Sequence, residues 1–249
     1  MADLVHTTIE EGTATLTLNR PDARNALSFE LIEALGNAVG EIEANDAVRA
    51  LILAGNGKSF CAGMDLKGVI DDAEKMGGML RGLSQVMRRI RRLPIPTIAR
   101  VQGAAVGGGC GLMVMTDFAI THPEAKVGYP EVDLGVCPAV VAPWLIRKIG
   151  AGRARAMLLA GGTTSGEEGY RIGLASHLVE MEHLEAESLD LADELCRGGR
   201  HAISVTKQWL NELDGSMEDA IFDKAADLSA EVIAGEEAQS RLRKLFAKA

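Results

Sequence analysis

The chain has 249 residues, 47% of them hydrophobic, with a formal net charge of -9 at neutral pH. That is apolar material enough for one large core, or one core with a helical appendage, and the acidic balance excludes loose binding to nucleic acid or to an anionic membrane, because neutralising phosphates takes an excess of Lys and Arg. The four cysteines, Cys61, Cys110, Cys137 and Cys196, are widely spaced with no C-x-x-C pair and no zinc spacing, so a reduced, cytoplasmic setting is expected. No run of about 18 apolar residues occurs and residues 1–8 hold no apolar signal core, so neither a membrane span nor secretion is expected.

Two short alternating runs, 4–9 and 13–18, flank Glu11-Gly12 and predict a hairpin. Ser28 is placed to cap a helix whose Leu31, Leu35, Val39 and Ile42 share one face. A strand is predicted over 48–54. Residues 69–93 read as mixed: Asp71-Asp72 and Gly77-Gly78 point to a mobile loop, whereas Leu83, Val86, Met87 and Ile90 point to a helix before Pro94 and Pro96. Its basic run, Arg88-Arg89-Ile90-Arg91-Arg92, reads as a solvated helix end whose cations suit the C-terminal dipole. A strand over 97–101, a glycine cluster, a short helix over 112–115 and a strand over 118–121 follow, which together indicate an α/β domain. Beyond Pro143, helices are predicted over 144–149, 153–159, 167–172, 184–196, 204–213, 217–234 and 236–246, with one more strand within 175–179. A soft boundary near Gly198 divides a core of residues 1–197 from a helical region of residues 198–249.

The most informative stretch is Val106-Gly107-Gly108-Gly109-Cys110-Gly111-Leu112. Glycines between a strand and a helix leave backbone N–H groups unshielded where the first helical donors lack partners and the dipole is positive, a place to hold negative charge; tight packing is the bland alternative. A second segment, Ser59-Phe60-Cys61-Ala62-Gly63-Met64-Asp65-Leu66, also follows a strand. Two such strand ends can aim two N–H groups at one point. The histidines, His6, His122, His177, His183 and His201, are scattered, and no metal site is expected.

These segments, with Leu18-Asn19-Arg20-Pro21, Asn25-Ala26-Leu27, Gly103, Asp117, Tyr129-Pro130-Glu131 and Leu134-Gly135, resemble the crotonase superfamily, the enoyl-CoA hydratase/isomerase family, over nearly the whole chain. The resemblance implies a spiral of repeated strand-strand-helix units with a helical C-terminal part, assembled as a homotrimer or dimer of trimers. It implies an acyl-CoA thioester as substrate and no separate cofactor, coenzyme A being part of that substrate. The N–H groups of Met64 and Gly108 match the family's oxyanion hole, which would stabilise the enolate formed when a proton leaves the carbon beside a thioester. Glu131 matches a catalytic glutamate and is the expected acid/base. Coenzyme A is expected along Arg24, Asn25, Ala26, Leu27, Ala62, Gly63 and Asp65, with Arg24 and Lys67 meeting its phosphates; Asp65 suits a turn or cap better than acid catalysis, and Asp117 a local structural hydrogen bond.

The departures matter as well. Many family hydratases carry a second glutamate where this chain has Gly111, and the two carboxylates hold one water between them. A single carboxylate suffices to shuttle a proton between carbons, so double-bond isomerisation of enoyl-CoA is the first expectation. The stretch Gly135-Val136-Cys137-Pro138-Ala139 resembles enzymes that hydrate branched 2-enoyl-CoA such as 3-methylglutaconyl-CoA, which keeps hydration open. An inert CoA-binding scaffold is the non-enzymatic alternative. Serine hydrolysis lacks its nucleophile in the cluster, nicotinamide binding lacks G-x-G-x-x-G, and Ala139 stands where dehalogenase relatives place a nucleophilic Asp.

Overall fold

The computed structural model describes residues 3–70 and 72–247. β1 (Val5–Glu10) and β2 (Thr13–Leu18) form the expected antiparallel hairpin. In β2 the alternation of Thr with Ala14, Leu16 and Leu18 turns the apolar set inward. α1 (Phe29–Glu43) begins at Ser28, whose Oγ accepts the Leu31 N–H at 3.2 Å, and buries Leu31, Leu35, Val39 and Ile42. β3 (Ala50–Gly55) lies parallel to β2.

α2 (Ala73–Arg92) corrects the expected loop: Gly77 and Gly78 sit inside a 20-residue helix. The Asp72 carboxylate starts it by accepting the Lys75 N–H at 2.9 Å, and Met76, Met79, Leu80, Leu83, Met87 and Ile90 give it one buried face. Asp71 lies outside the described residues. Then come β4 (Thr97–Val101), β5 (Ala104–Val106), α3 (Gly108–Val114), β6 (Phe118–Thr121), β7 (Lys126–Gly128), α4 (Ala142–Ile149), α5 (Ala151–Ala160), β8 (Thr163–Ser165), α6 (Gly166–Ile172) and β9 (His177–Leu178). The order β1-β2-β3-β4-β6-β9 makes the main sheet, parallel beyond the hairpin. A second sheet, β5-β7-β8, was not expected. Its three-residue strands are too short to show a period. Isolated parallel bridges, Cys61 to Ala105 and Leu27 to Met64, carry its backbone pairing on towards the start of α1.

α7 (Leu184–Cys196) covers one face of the main sheet, packing Leu184 and Ala192 on Ala50, Ile52, Ile98 and Ile120. The opposite face joins α1, α2 and α3 in the larger core. α8 (Arg200–Leu213), α9 (Asp219–Ala234) and α10 (Glu236–Phe246) follow, so residue 198 falls in the turn between α7 and α8. α9 lies on α2, and its Phe222 stacks on Trp144 of α4 with ring centroids 4.4 Å apart. Phe222, Ile233 and Leu242 thereby enter the larger core.

The basic run of α2 is not a solvated end. Arg88 pairs with Asp219 and Asp223, Arg89 with Glu43, Arg91 with Asp117 and Asp214, and Arg92 with Asp219. These cations tie α2 to α1 and to the C-terminal helices. Among the described residues no helix is long and apolar enough to cross a membrane.

Candidate active site

Three loops at the ends of β3, β5 and β7 meet at one cavity of about 110 Å3, and each arrives by backbone pairing. Residues 24–27 run beside 62–65: the Ala62 N–H donates to Arg24 O at 3.0 Å, Leu27 N–H to Gly63 O at 2.8 Å and Asp65 N–H to Leu27 O at 3.0 Å. Cys61 N–H donates to Ala104 O at 2.9 Å and Val106 N–H to Cys61 O at 3.0 Å, so the second segment is held between the first and β5. Gly107 N–H donates to Gly128 O at 2.8 Å, which joins β5 to β7 one residue before Tyr129 and two before Pro130.

In this lattice the Met64 and Gly108 N–H groups have no acceptor among the described residues. Gly108 opens α3, so its N–H belongs to the unpartnered first turn. Both residues line the cavity, and a Cβ built on Gly63, next to Met64, would lie 3.9 Å from the Gly108 nitrogen. Gly107 turns the chain at φ 55, ψ -122, a backbone that only glycine adopts freely. The glycine cluster serves packing as well: a Cβ on Gly109 would lie 2.2 Å from Cys61 O.

Glu131 follows β7 in a short 3-10 turn, Pro130–Leu134, and lines the same cavity. Its Oε1 would lie 3.0 Å from a Cβ on Gly107, and its buried Oε2 has no hydrogen-bond partner among the described residues. Burial pushes this carboxyl up to about 7, against a small downward pull from its own N–H. It is therefore poised to take and return a proton near neutral pH.

Of the residues expected along coenzyme A, Ala62 and Gly63 line the cavity with Met64, and Arg24, Asn25, Ala26, Leu27, Asp65 and Lys67 do not. Asn25 is fully buried: its Oδ1 accepts the Arg20 N–H, and its Nδ2 donates to Asn56 O and Ser59 O. Asp65 is held by Arg20, Nη2 to Oδ2 at 3.0 Å, and the same guanidinium donates to Ala26 O. Arg20 thus clamps the 24–27 segment to the 62–65 segment, a role that its place in the motif does not announce. Arg24 and Lys67 are exposed and have no ion-pair partner among the described residues.

The cavity's far wall is formed by Leu80 and Leu83 of α2 and by Ser229 and Ile233 of α9, within the stretch 69–83 and the C-terminal helices from which the sequence leads one to expect pocket walls, and by Val140 and Val141 before α4, which the sequence reading missed. Their only signal is apolar periodicity, which marks burial without saying against what. Ser229 Oγ donates to Cys137 O at 3.0 Å and accepts the Val140 N–H at 3.3 Å, fixing that wall to α9. Position 111 is closed, since a Cβ there would lie 2.5 Å from Val141 Cγ1 and 3.1 Å from Met87 Cε. Cys61 and Cys110 are buried thiols pushed up to about 12 by burial, inert packing groups. Among the described residues no cluster of His, Cys, Asp and Glu could hold a metal ion.

Residues 8–246 match the family model for enoyl-CoA hydratase/isomerase. A crotonyl-CoA hydratase of Syntrophomonas wolfei is 35% identical over 225 residues, 89% of this chain and 85% of that protein. A 1,2-epoxyphenylacetyl-CoA isomerase of Escherichia coli K12 is 32% identical over 234 residues, 91% and 89% of the two chains. Among solved structures, an enoyl-CoA hydratase/isomerase from Mycobacterium paratuberculosis superposes with a TM-score of 0.89 at 26% identity, covering 98% of this chain and 99% of that one. With the mixed α/β spiral and its helical C-terminal part in place, the likeness runs through fold and sequence together, and the chain belongs to the enoyl-CoA hydratase/isomerase family of the crotonase superfamily.

Proposed function

We propose that the protein isomerises the double bond of an enoyl-CoA thioester. The thioester oxygen accepts hydrogen bonds from the Met64 and Gly108 N–H groups, and Glu131 removes a proton from the α carbon of a 3-enoyl chain. The two donors stabilise the resulting dienolate in a site with little water, which is worth several kcal/mol. Glu131 then returns the proton to the γ carbon, leaving the double bond conjugated with the thioester. Atoms balance with no other reactant. Arg24 and Lys67 meet the coenzyme A phosphates, while residues 25–27, with Ala62, Gly63 and Asp65, border the path of the coenzyme.

One observation carries the choice of isomerisation: Glu131 is the only carboxylate lining the cavity among the described residues, and position 111 is closed by Val141 and Met87. Hydration is the second reading, favoured by the hydratase named among the relatives. The resemblance further implies assembly as a trimer or a dimer of trimers, to which the exposed apolar residues of α8, Val205, Trp209, Leu210 and Leu213, are suited.

The test is incubation with 3-enoyl-CoA and with 2-enoyl-CoA in D2O, followed by mass and by absorbance of the conjugated thioester. Isomerisation predicts 2-enoyl-CoA from the 3-enoyl substrate with no gain of water, and deuterium at the γ carbon only in those turnovers in which the Glu131 carboxyl exchanges with D2O before it returns the proton. Net addition of water to 2-enoyl-CoA as the faster reaction would establish hydration instead. Binding with neither isomerisation nor addition would leave an inert scaffold.

A further inference from the structure

Resting on the reading that this cavity holds the acyl chain, the charge on its walls narrows the substrate class. Leu66, Leu80, Leu83, Leu134, Val136 and Ile233 line the cavity, and among the described residues no Lys, Arg or His does. The ionisable side chains there are Glu131 and the thiol of Cys137. The Ser229 hydroxyl, the remaining polar side chain, is occupied by Cys137 O and the Val140 N–H. A guanidinium does pass close by: a Cβ on Gly135 would lie 2.9 Å from Arg241 Cδ. It is turned away, with Nε on the Glu237 carboxylate at 3.0 Å and Nη1 on Asp133 O at 3.4 Å.

We infer that the pocket selects acyl groups with no charge of their own and rejects, at the binding step, acyl thioesters that carry a second carboxylate. A carboxylate carried in would lose its water and find no cation among the described residues, and the free Met64 and Gly108 N–H groups are taken by the thioester oxygen; burial of an unpaired charge is among the costliest changes a site can impose. It would also face Glu131, whose ionised form repels it. Discrimination here comes from what the wall lacks, not from a contact with the favoured ligand. Within the enoyl-CoA class, this separates plain and branched hydrocarbon chains from dicarboxylic ones.

The experiment is a calorimetric titration of the native chain with pentanoyl-CoA and with glutaryl-CoA, which have equal acyl carbon counts and no double bond to react. Glutaryl-CoA is expected to bind at least about 100-fold more weakly at pH 8, and the gap is expected to narrow at pH 5 as carboxylates take up protons. Leu134→Lys, which adds an ammonium at a half-buried wall position, is expected to shrink the ratio between the two ligands at least about tenfold. Equal binding of both by the native chain overturns the inference and leaves the proposed reaction standing. Failure of the native chain to bind either overturns the acyl-pocket reading itself. Selective binding by a chain that converts no 3-enoyl-CoA upholds the inference and removes the proposed isomerisation.

Discussion

At the scale of single residues, the burial that fits Glu131 for proton transfer also burdens the fold. Its carboxyl is pushed up to about 7 from an ordinary 4.5, so between those values the folded chain keeps a proton that the unfolded chain gives up. Stability from this group is complete below 4.5 and is lost as pH rises through 7. Glu131→Gln should therefore abolish deuterium exchange at the α carbon while retaining thioester binding. It should also raise the melting temperature at pH 8, with little gain at pH 4. Equal gains at both pH values would mean that the carboxyl is not held in an apolar site. For the native enzyme, kcat/KM should climb with pH through about 7, and a flat profile there would remove Glu131 as the base. Gly111 allows a separate test. Gly111→Glu alone should unfold at a lower temperature without gaining hydration, because its Cβ would meet Val141 Cγ1 at 2.5 Å, and adding Val141→Ala should recover most of the loss. That Glu131, Met64 and Gly108 meet at one cavity was legible because they sit in motifs with fixed spacing. The closure of position 111 was not, since the residue that closes it comes from 30 positions away in the chain.

Elements were legible in proportion to their length and to how local their causes are. The hairpin and α1 declare themselves through alternation, a capping Ser28 and a single apolar face. α2 does not, because Gly77-Gly78 carries a local signal for a loop that packing overrides: Gly77 is buried, and a Cβ there would meet Ala230 of α9 at 3.3 Å. The strands of the second sheet carry almost no signal, although they set the direction of the loops that bear Met64, Gly108 and Glu131. Asp117 shows the same limit. The expected local hydrogen bond is to Thr97, 20 residues back, and the carboxylate also takes Lys207 Nζ at 2.7 Å and Arg91 Nη1 at 3.3 Å. Burial alone would lift this carboxyl, yet Lys207 and Arg91 hold it below its ordinary value. The cluster locks α2 and α8 to the start of β4 and β6. Asp117→Ala would leave the buried Lys207 ammonium without a carboxylate and Arg91 with Asp214 alone, and should cost about 3–5 kcal/mol in urea unfolding. A loss within about 0.5 kcal/mol would mean that these four elements are held by apolar packing alone.

For the whole molecule, the chain's charge and its apolar surface point in different directions. A net charge of -9 keeps copies apart at long range, whereas α8 presents Val205, Trp209, Leu210 and Leu213 on its outer side, with Trp209 58% exposed and Leu213 63%. Scattered apolar residues on a surface need no explanation, but a contiguous set on one helix marks a contact. Burying it against another copy gains roughly 25 cal/mol per Å2 of apolar area, a gain that salt does not weaken, while the repulsion is screened within about 10 Å at 0.1 M salt. Light scattering coupled to gel filtration should therefore give three or six times the 26.4 kDa chain mass, with assembly tighter at high salt. Trp209→Asp combined with Leu213→Asp should shift the mass to a single chain, and because neither residue reaches the cavity, binding of a saturated acyl-CoA should survive in that monomer. An unchanged mass in the double variant would place the contact elsewhere than α8. Loss of ligand binding on dissociation would instead show that the pocket depends on a neighbouring copy, which its walls, drawn from α2, α9 and the loops of one chain, do not require.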